Sequence, residues 1–426
     1  MNVSKICFVS VFVTFAFALP SAHARNLKWQ DCVLMAIDKN PDLKANQAQL
    51  NSTTSQEGVA FSGFYPQVNA SFGYSLFTPS TYDPNQDQGV SADAFNATFK
   101  VSQNLYNGQQ DYEKWLQAKG NTASSRAQLQ ATKAQVSFDL KAGFESYVYS
   151  KQYQKLTADI IHRREENLRI VELRFQSGRE NKGSVLLSRA NLNQAKFDDL
   201  QARNIKEVAK TQLRKVLGLD DDEQLEVVDE IPLRSSEVRT PNFRDLVERT
   251  PGYMQSAATA EAASHGTRVA RGTFFPKLDL TGEYGTTAAY VYPNIQHWIV
   301  GFNLSLNVLN GGKDYSALQA ASYTQAQNES QAASVRYQGV VNLRQSYNNL
   351  VEAIEKLKVD ESFRQAAITR AEIARRKYNN GLLTFEDWDI IENDLIARQK
   401  NYLSSLQNRV TAEAQWERDQ GTGAIP

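Results

Sequence analysis

Two hydrophobic periods alternate along this chain, and each occurs twice. Val68, Ala70, Phe72, Tyr74 and Leu76 alternate with Gln67, Asn69, Ser71, Gly73 and Ser75. Phe95, Ala97, Phe99 and Val101 do the same against Asn96, Thr98, Lys100 and Ser102. The two-residue period returns at Leu278, Leu280 and Tyr284, and again at Trp298, Val300, Phe302, Leu304 and Leu306. Such alternation predicts four strands of roughly 10–13 residues, each with one greasy and one polar face, the pattern of bilayer-crossing β-structure. Turn-rich stretches, 78–89 and 286–294, join the members of each pair.

After each pair the period lengthens. No proline lies between Pro84 and Pro232, or between Pro293 and Pro426. Across 109–176 and 313–379 nothing interrupts a helix except the single glycines Gly120, Gly143 and Gly339. Val136, Leu140, Phe144, Tyr147 and Val148 fall three or four apart, giving one packing stripe. At 1.5 Å per residue each helix would run on the order of 100 Å, far beyond ordinary globular length. Glycine-centred turns at Gly178 and Gly381 end them, and return helices follow over 184–217 and 385–416. A soluble sandwich with one wet face fits the strand alternation alone. It does not fit long helices flanking both hairpins.

The chain is thus written twice. Asn40-Pro41-Asp42-Leu43 returns as Thr250-Pro251-Gly252-Tyr253, and Phe64-Tyr65-Pro66 as Phe274-Phe275-Pro276, both at an offset of 210. Past the strand pair the offset is 203: Leu105-Tyr106-Asn107-Gly108 matches Val308-Leu309-Asn310-Gly311, and Arg174-Phe175…Gly178 matches Lys377-Tyr378…Gly381. The expected organisation is a first repeat over 25–240 and a second over 241–426. The first holds a helix, a hairpin at 66–106, helices at 109–176 and 184–217, and an equatorial segment at 219–240. The second holds a helix, a hairpin at 276–308 and helices at 313–379 and 385–416. Four strands cannot close a barrel, for which about eight is the practical minimum. Open edges are not tolerated in lipid, so the pattern demands an oligomer, and three copies supply about twelve strands.

Composition sharpens this picture. Residues 1–24 read as a secretory signal peptide: Lys5, the apolar run 6–19, then Ala22-His23-Ala24. Removing Lys5 from 47 basic residues leaves 46 against 47 acidic, a net charge of −1 that argues against nucleic acid as partner. Cys32 alone then remains, so no intrachain disulfide is expected. Beyond the signal no apolar run approaches the roughly 20 residues of a spanning helix, so entry into a membrane must use β-strands. No enzymatic constellation is visible. His162, His265 and His297 are isolated, and Gly311-Gly312-Lys313 lacks the spacing and hydroxyl of a phosphate loop. No cofactor and no metal is implied.

The ordered, doubled motifs resemble the TolC-type outer-membrane efflux family across essentially the whole chain after the signal. The resemblance implies a fold that is mainly α with transmembrane β. The internally duplicated protomer would form a homotrimer with a β-barrel of about twelve strands in outer-membrane lipid. That barrel would continue into an α-helical barrel in the periplasm. It further implies a passive exit duct of tripartite efflux or type I secretion, working with a periplasmic adaptor (membrane fusion protein) and an inner-membrane pump, proton-driven or of ABC type. A periplasmic coiled-coil adaptor is the competing reading.

The resemblance places the periplasmic entrance at the second helix turn, where Tyr378 matches the gate tyrosine and Asp387 the first entrance aspartate. Glu386 and Asp389 are the neighbouring acids. Ile390, Leu383 and Arg169 stand where the family pattern has aspartate, arginine and aspartate, so the closed-state latch must differ. Three copies of Asp387 would make an oxygen-rich constriction favouring cations. The plainer alternative is that Thr384 is an N-cap with Asp387 favoured by the helix dipole. The first repeat, however, has Gly183 and Ser184 where the second has Glu386 and Asp387. At the two tips Arg174, Phe175, Gly178, Lys377 and Gly381 match the family's adaptor-docking positions, though helix termination alone explains the glycines and basic residues.

Overall fold

The computed structural model describes residues 25–77, 92–221, 223, 225–228, 231, 240–288 and 295–426. The expected signal peptide, parts of both strand-joining loops and much of the equatorial segment lie outside the described residues. A short strand β1 (Arg25–Leu27) leads into helices α1 (Trp29–Lys39) and α2 (Pro41–Phe61). Strands β2 (Gln67–Phe77) and β3 (Ala92–Tyr106) follow, then helices α3 (Gln110–Gln176) and α4 (Lys182–Leu217). Strand β4 (Leu225–Val227) and helix α5 (Phe243–Val247) separate this run from its counterpart. The counterpart comprises α6 (Pro251–Gly272), β5 (Lys277–Ala288), β6 (Ile295–Ser305), α7 (Lys313–Asn379) and α8 (Phe385–Gln420). The two long helices are equal in length at 67 residues, and the return helices at 36.

The strands form one antiparallel sheet in the order β2-β3-β5-β6. Each hairpin pairs internally, and β3 pairs with β5 across the two runs, with a bulge between Asn104 and Tyr106. The alternation places Phe72, Trp298 and Phe302 on one face, at 79%, 74% and 72% exposure. Polar contacts such as the Asn104 amide donating to Asp279 at 2.9 Å occupy the other face. Large apolar side chains this open to solvent mark a surface meant for a non-aqueous neighbour. No described helix is long and apolar enough to cross a membrane.

Below the sheet, long helices run side by side. On α2 the buried or half-buried positions are Leu43, Asn46, Leu50, Thr53, Glu57 and Ala60. On the part of α7 nearest the sheet, residues 313–339, they are Asp314, Leu318, Ala321, Gln325, Asn328, Ala332, Val335 and Gly339. Steps of three and four alternate strictly, a period of 3.5, which under-winds helices into a left-handed coil seam. The strand-to-helix corner needs left-handed backbone: Gly108 has φ +67°, and a Cβ there would strike the carbonyl of Gly272. Gln109 also adopts positive φ, at +65°, where the second run places Gly312.

The largest core lies at the middle of the helical body. It gathers Leu27, Cys32 and Ala36 with Leu140, Phe144 and Tyr147 of α3 and Leu213 and Leu217 of α4. Parallel pairing of β1 with β4 brings Leu225 and Val227 into it. Periodicity did not foresee that three-residue pair. At the other end of the chain Ile425 enters the same core, its N–H donating to the Ser137 hydroxyl at 3.0 Å.

Cys32 is fully buried there, and burial first, the Asp31 charge second, push its thiol up to about 12. Its thiolate is therefore absent at neutral pH, and the thiolate is the reactive form. A disulfide reagent at pH 8 should titrate no thiol in the folded protein lacking residues 1–24 and one after denaturation. Titration at a free-thiol rate without denaturant would show that this core opens.

Candidate functional site at the hairpin tips

Both long helices end in the same way. The Arg179 N–H reaches back to the Arg174 carbonyl at 2.8 Å, and that of Leu382 to the Lys377 carbonyl at 2.9 Å. Gly178 and Gly381 take the required left-handed conformation at φ +73° and +76°. This is the Schellman termination that glycine makes inexpensive. The return helices open on side-chain caps: Asn181 accepts from the Ser184 N–H at 2.9 Å, and Thr384 from the Asp387 N–H at 3.2 Å. The Thr384 hydroxyl also donates to Asp387 Oδ2 at 2.8 Å, so the capping geometry is fully formed.

The chain places the expected site residues unequally. Tyr378 is completely buried, with its ring stacked on Trp388 at 4.3 Å and 14°. Phe385, Val171 and Val185 close around them. The Tyr378 hydroxyl donates to Glu180 Oε2 at 2.9 Å, across from one hairpin to the other. Burial first and Glu180 second hold this phenol well above its usual range, so it stays neutral and a donor. Arg174 lies 4.6 Å over the same ring and donates to the Tyr378 carbonyl at 2.7 Å. Arg174 and Tyr378 therefore form a staple within one chain: a cation on an aromatic face, closed by two hydrogen bonds. Within the protomer the Tyr378 hydroxyl is held by Glu180, and Arg174 lies over the Tyr378 ring with its guanidinium donating to the Tyr378 carbonyl.

The acids divide as well. Glu386 and Asp387 are exposed at the start of α8. Asp389 is instead turned into the protomer, accepting from Arg164 Nη1 at 3.3 Å and from Asn191 at 2.9 Å. Removing either partner of a buried pair like this leaves an uncompensated charge. Asp389 is thus a brace between α3, α4 and α8, not a free carboxylate. Phe175, Lys377, Gly178 and Gly381 remain exposed, and a Cβ at either glycine would meet nothing within 4 Å. Trp388, Glu180, Arg164 and Asn191 were not singled out from the sequence. The usable signal was the repeat itself, where Trp388 replaces Val185 and Leu383 replaces Glu180. No group of three potential metal-ligating side chains occurs among the described residues.

An open four-stranded sheet with an outward apolar face, carried on two long helical hairpins, is the protomer fold of outer-membrane channels. VceC of Vibrio cholerae superposes with a TM-score of 0.83 at 17% identity, over 93% of this chain and 96% of that one. CmeC of Campylobacter jejuni does so with a TM-score of 0.84 at 17% identity, over 93% and 86%. In sequence, the toluene efflux pump outer membrane protein TtgC of Pseudomonas putida is 21% identical over 432 residues, 92% of this chain and 83% of its own. The antibiotic efflux pump outer membrane protein ArpC, also of Pseudomonas putida, matches equally. The profile of the outer membrane efflux protein family matches residues 33–219 and 243–418, and the chain belongs to that family. Membership sets aside the periplasmic-adaptor reading.

Truncation of the staple should loosen the tips alone. Tyr378→Phe forfeits a hydrogen bond of about 1 kcal/mol, roughly fivefold in amide hydrogen-exchange protection at 376–382. Tyr378→Ala, at about 3–5 kcal/mol, should remove most of that protection while the core around Leu140 stays protected. Unaltered exchange in Tyr378→Ala would show that the staple does not hold the tips.

Proposed function

We propose that three copies of this chain close into a single duct, with a β-barrel in the outer membrane continuous with a helical tunnel in the periplasm. The observation that carries this is the sheet. Neither outer edge, of β2 or of β6, has a partner among the described residues, while one face is apolar and exposed. Unpaired peptide groups in lipid cost several kcal/mol each, and closure through further copies is what satisfies them. Three copies supply about twelve strands, above the practical minimum of about eight.

The duct is passive in this reading, recruited by a periplasmic adaptor and opened by an energised inner-membrane pump. Adaptor hairpins would dock around Gly178 and Gly381, where the surface is unobstructed. The relatives named for toluene and antibiotic efflux favour small molecules as cargo. Mild in-cell crosslinking followed by affinity capture tests the reading. Recovery of an adaptor with a proton-coupled pump is the expected outcome. An ATP-driven exporter would redirect the proposal to type I secretion, and recovery of neither would remove the efflux role.

Asp387 would ring the periplasmic entrance in three copies. Asp387→Asn keeps an acceptor for the Thr384 hydroxyl, so the cap survives while the charge is lost. Single-channel recordings should then show weaker block by divalent and trivalent cations than in the parent channel. Block of unchanged strength would leave Asp387 a capping residue only.

A further inference from the structure

Inside one chain the two runs of elements meet along a seam. β3 pairs with β5, and α3 packs against both α6 and α8. The corresponding seam on the far side would join β6 and α7 to β2, α2 and α4, and no such pairing occurs among the described elements. The internal seam is therefore a template for the external one. Register transfers without a gap, because Gln110–Gln176 and Lys313–Asn379 are 203 apart at both ends, as are the caps Asn181 and Thr384.

Applied to the staple, the template gives a specific result. Arg174 corresponds to Lys377, Tyr378 to Phe175, and Glu180 to Leu383. The internal cation-on-ring contact becomes Lys377 with Phe175, again a cation and an aromatic. The internal phenol–carboxylate hydrogen bond becomes Phe175 with Leu383. Both polar ends have been lost together, leaving an apolar pair. Arg375, which donates to Glu166 at 3.0 Å and to Asn167 at 3.1 Å, corresponds to Glu172, while Glu166 corresponds to Thr369 and Asn167 to Arg370. The external counterparts are then Glu172 with Thr369 and with Arg370, the latter of opposite charge. These are in addition to the surface pairs that Glu172 makes with Arg189 at 2.9 Å and Arg370 with Asp394 at 3.7 Å inside the chain. Asp389 and Arg164 correspond to Leu186 and Ala367, an ion pair likewise replaced at both ends by apolar residues.

The geometry supplies a seat for these groups. A groove of about 930 Å³ runs along α7 and the start of α8, lined among others by Arg370, Ile373, Lys377 and Leu383. Phe175 and Leu186, at 43% and 55% exposure, are among the exposed apolar side chains of α3 and α4. We infer that this groove receives Phe175 and Glu172 of a second copy of the same chain, so that Lys377 and Leu383 clasp the neighbour's Phe175. The inference rests on the trimeric reading and deepens it. It assigns Phe175 and Lys377 to the contact between copies, leaving the glycine turns to any adaptor. The contact is heterologous, so a rotation that closes after three copies buries every seat.

The test uses the full-length protein in outer membranes, with mass in detergent measured separately. Phe175→Cys combined with Leu383→Cys should give covalent dimers and trimers with a short bis-maleimide, and either single variant none. Cys32 is buried and does not compete. Without new cysteines near the clasp, Glu172→Arg or Arg370→Glu alone should lower trimer survival in mild detergent severalfold, and the double reversal should restore it. A trimer by mass with no bis-maleimide link and no charge-reversal rescue would overturn the seat but keep the trimer. A monomer by mass would overturn both.

Discussion

The peptide groups at the two free edges of the sheet set the terms for everything else. A four-stranded sheet is too narrow to bend round and pair with itself, yet one of its faces carries Phe72, Trp298 and Phe302 fully in the open. Such a sheet is incomplete by itself, and the proposed closure through further copies answers that constraint. The seam of α2 is narrow because α3 is its one helical neighbour among the described elements. The long helices bury mainly small and polar groups along their upper halves, such as Ala321, Gln325, Asn328 and Ala332 of α7. Only the middle of the body, around Leu140 and Phe144, resembles the core of an ordinary globular domain.

Legibility in the sequence followed from how each element is stabilised. Strands facing apolar surroundings on one side alternate by necessity, so β2 and β6 could be placed from Phe72 or Trp298 and their neighbours. Helices of 67 residues announce themselves by the absence of proline. The β1–β4 pair was invisible because three residues carry no period, and its parallel register depends on segments about 200 positions apart. Likewise Gln109 gives no sign of its positive φ, since only its partner position, Gly312, uses the residue that prefers it.

The tip region was legible in position but not in orientation. Glycine, cap residue and first-turn acids located the turn from composition alone. Which way each side chain faces was decided by packing that a single stretch does not encode. Trp388 supplies a flat surface for Tyr378, and that stacking swings the phenol inward to Glu180. Asp389 follows Arg164 into the protomer, while Asp387, two residues earlier, sits on the opposite side of the helix turn and stays in solvent. The two turn glycines share φ to within a few degrees while the tips differ in chemistry, which separates what terminates a helix from what the terminus is used for.

The middle core has one more consequence, and it concerns timing. Leu27 and Ile425 pack in the same cluster, and Ser137 receives the backbone of Ile425. Contacts of such extreme sequence separation form late, because loop closure must precede any gain from them. A chain emerging from a translocation pore can build its α3–α4 hairpin early, but it cannot seal this core until the segment around Ile425 has joined it. An interrupted chain would leave the surface around Leu140 and Phe144 open to proteases.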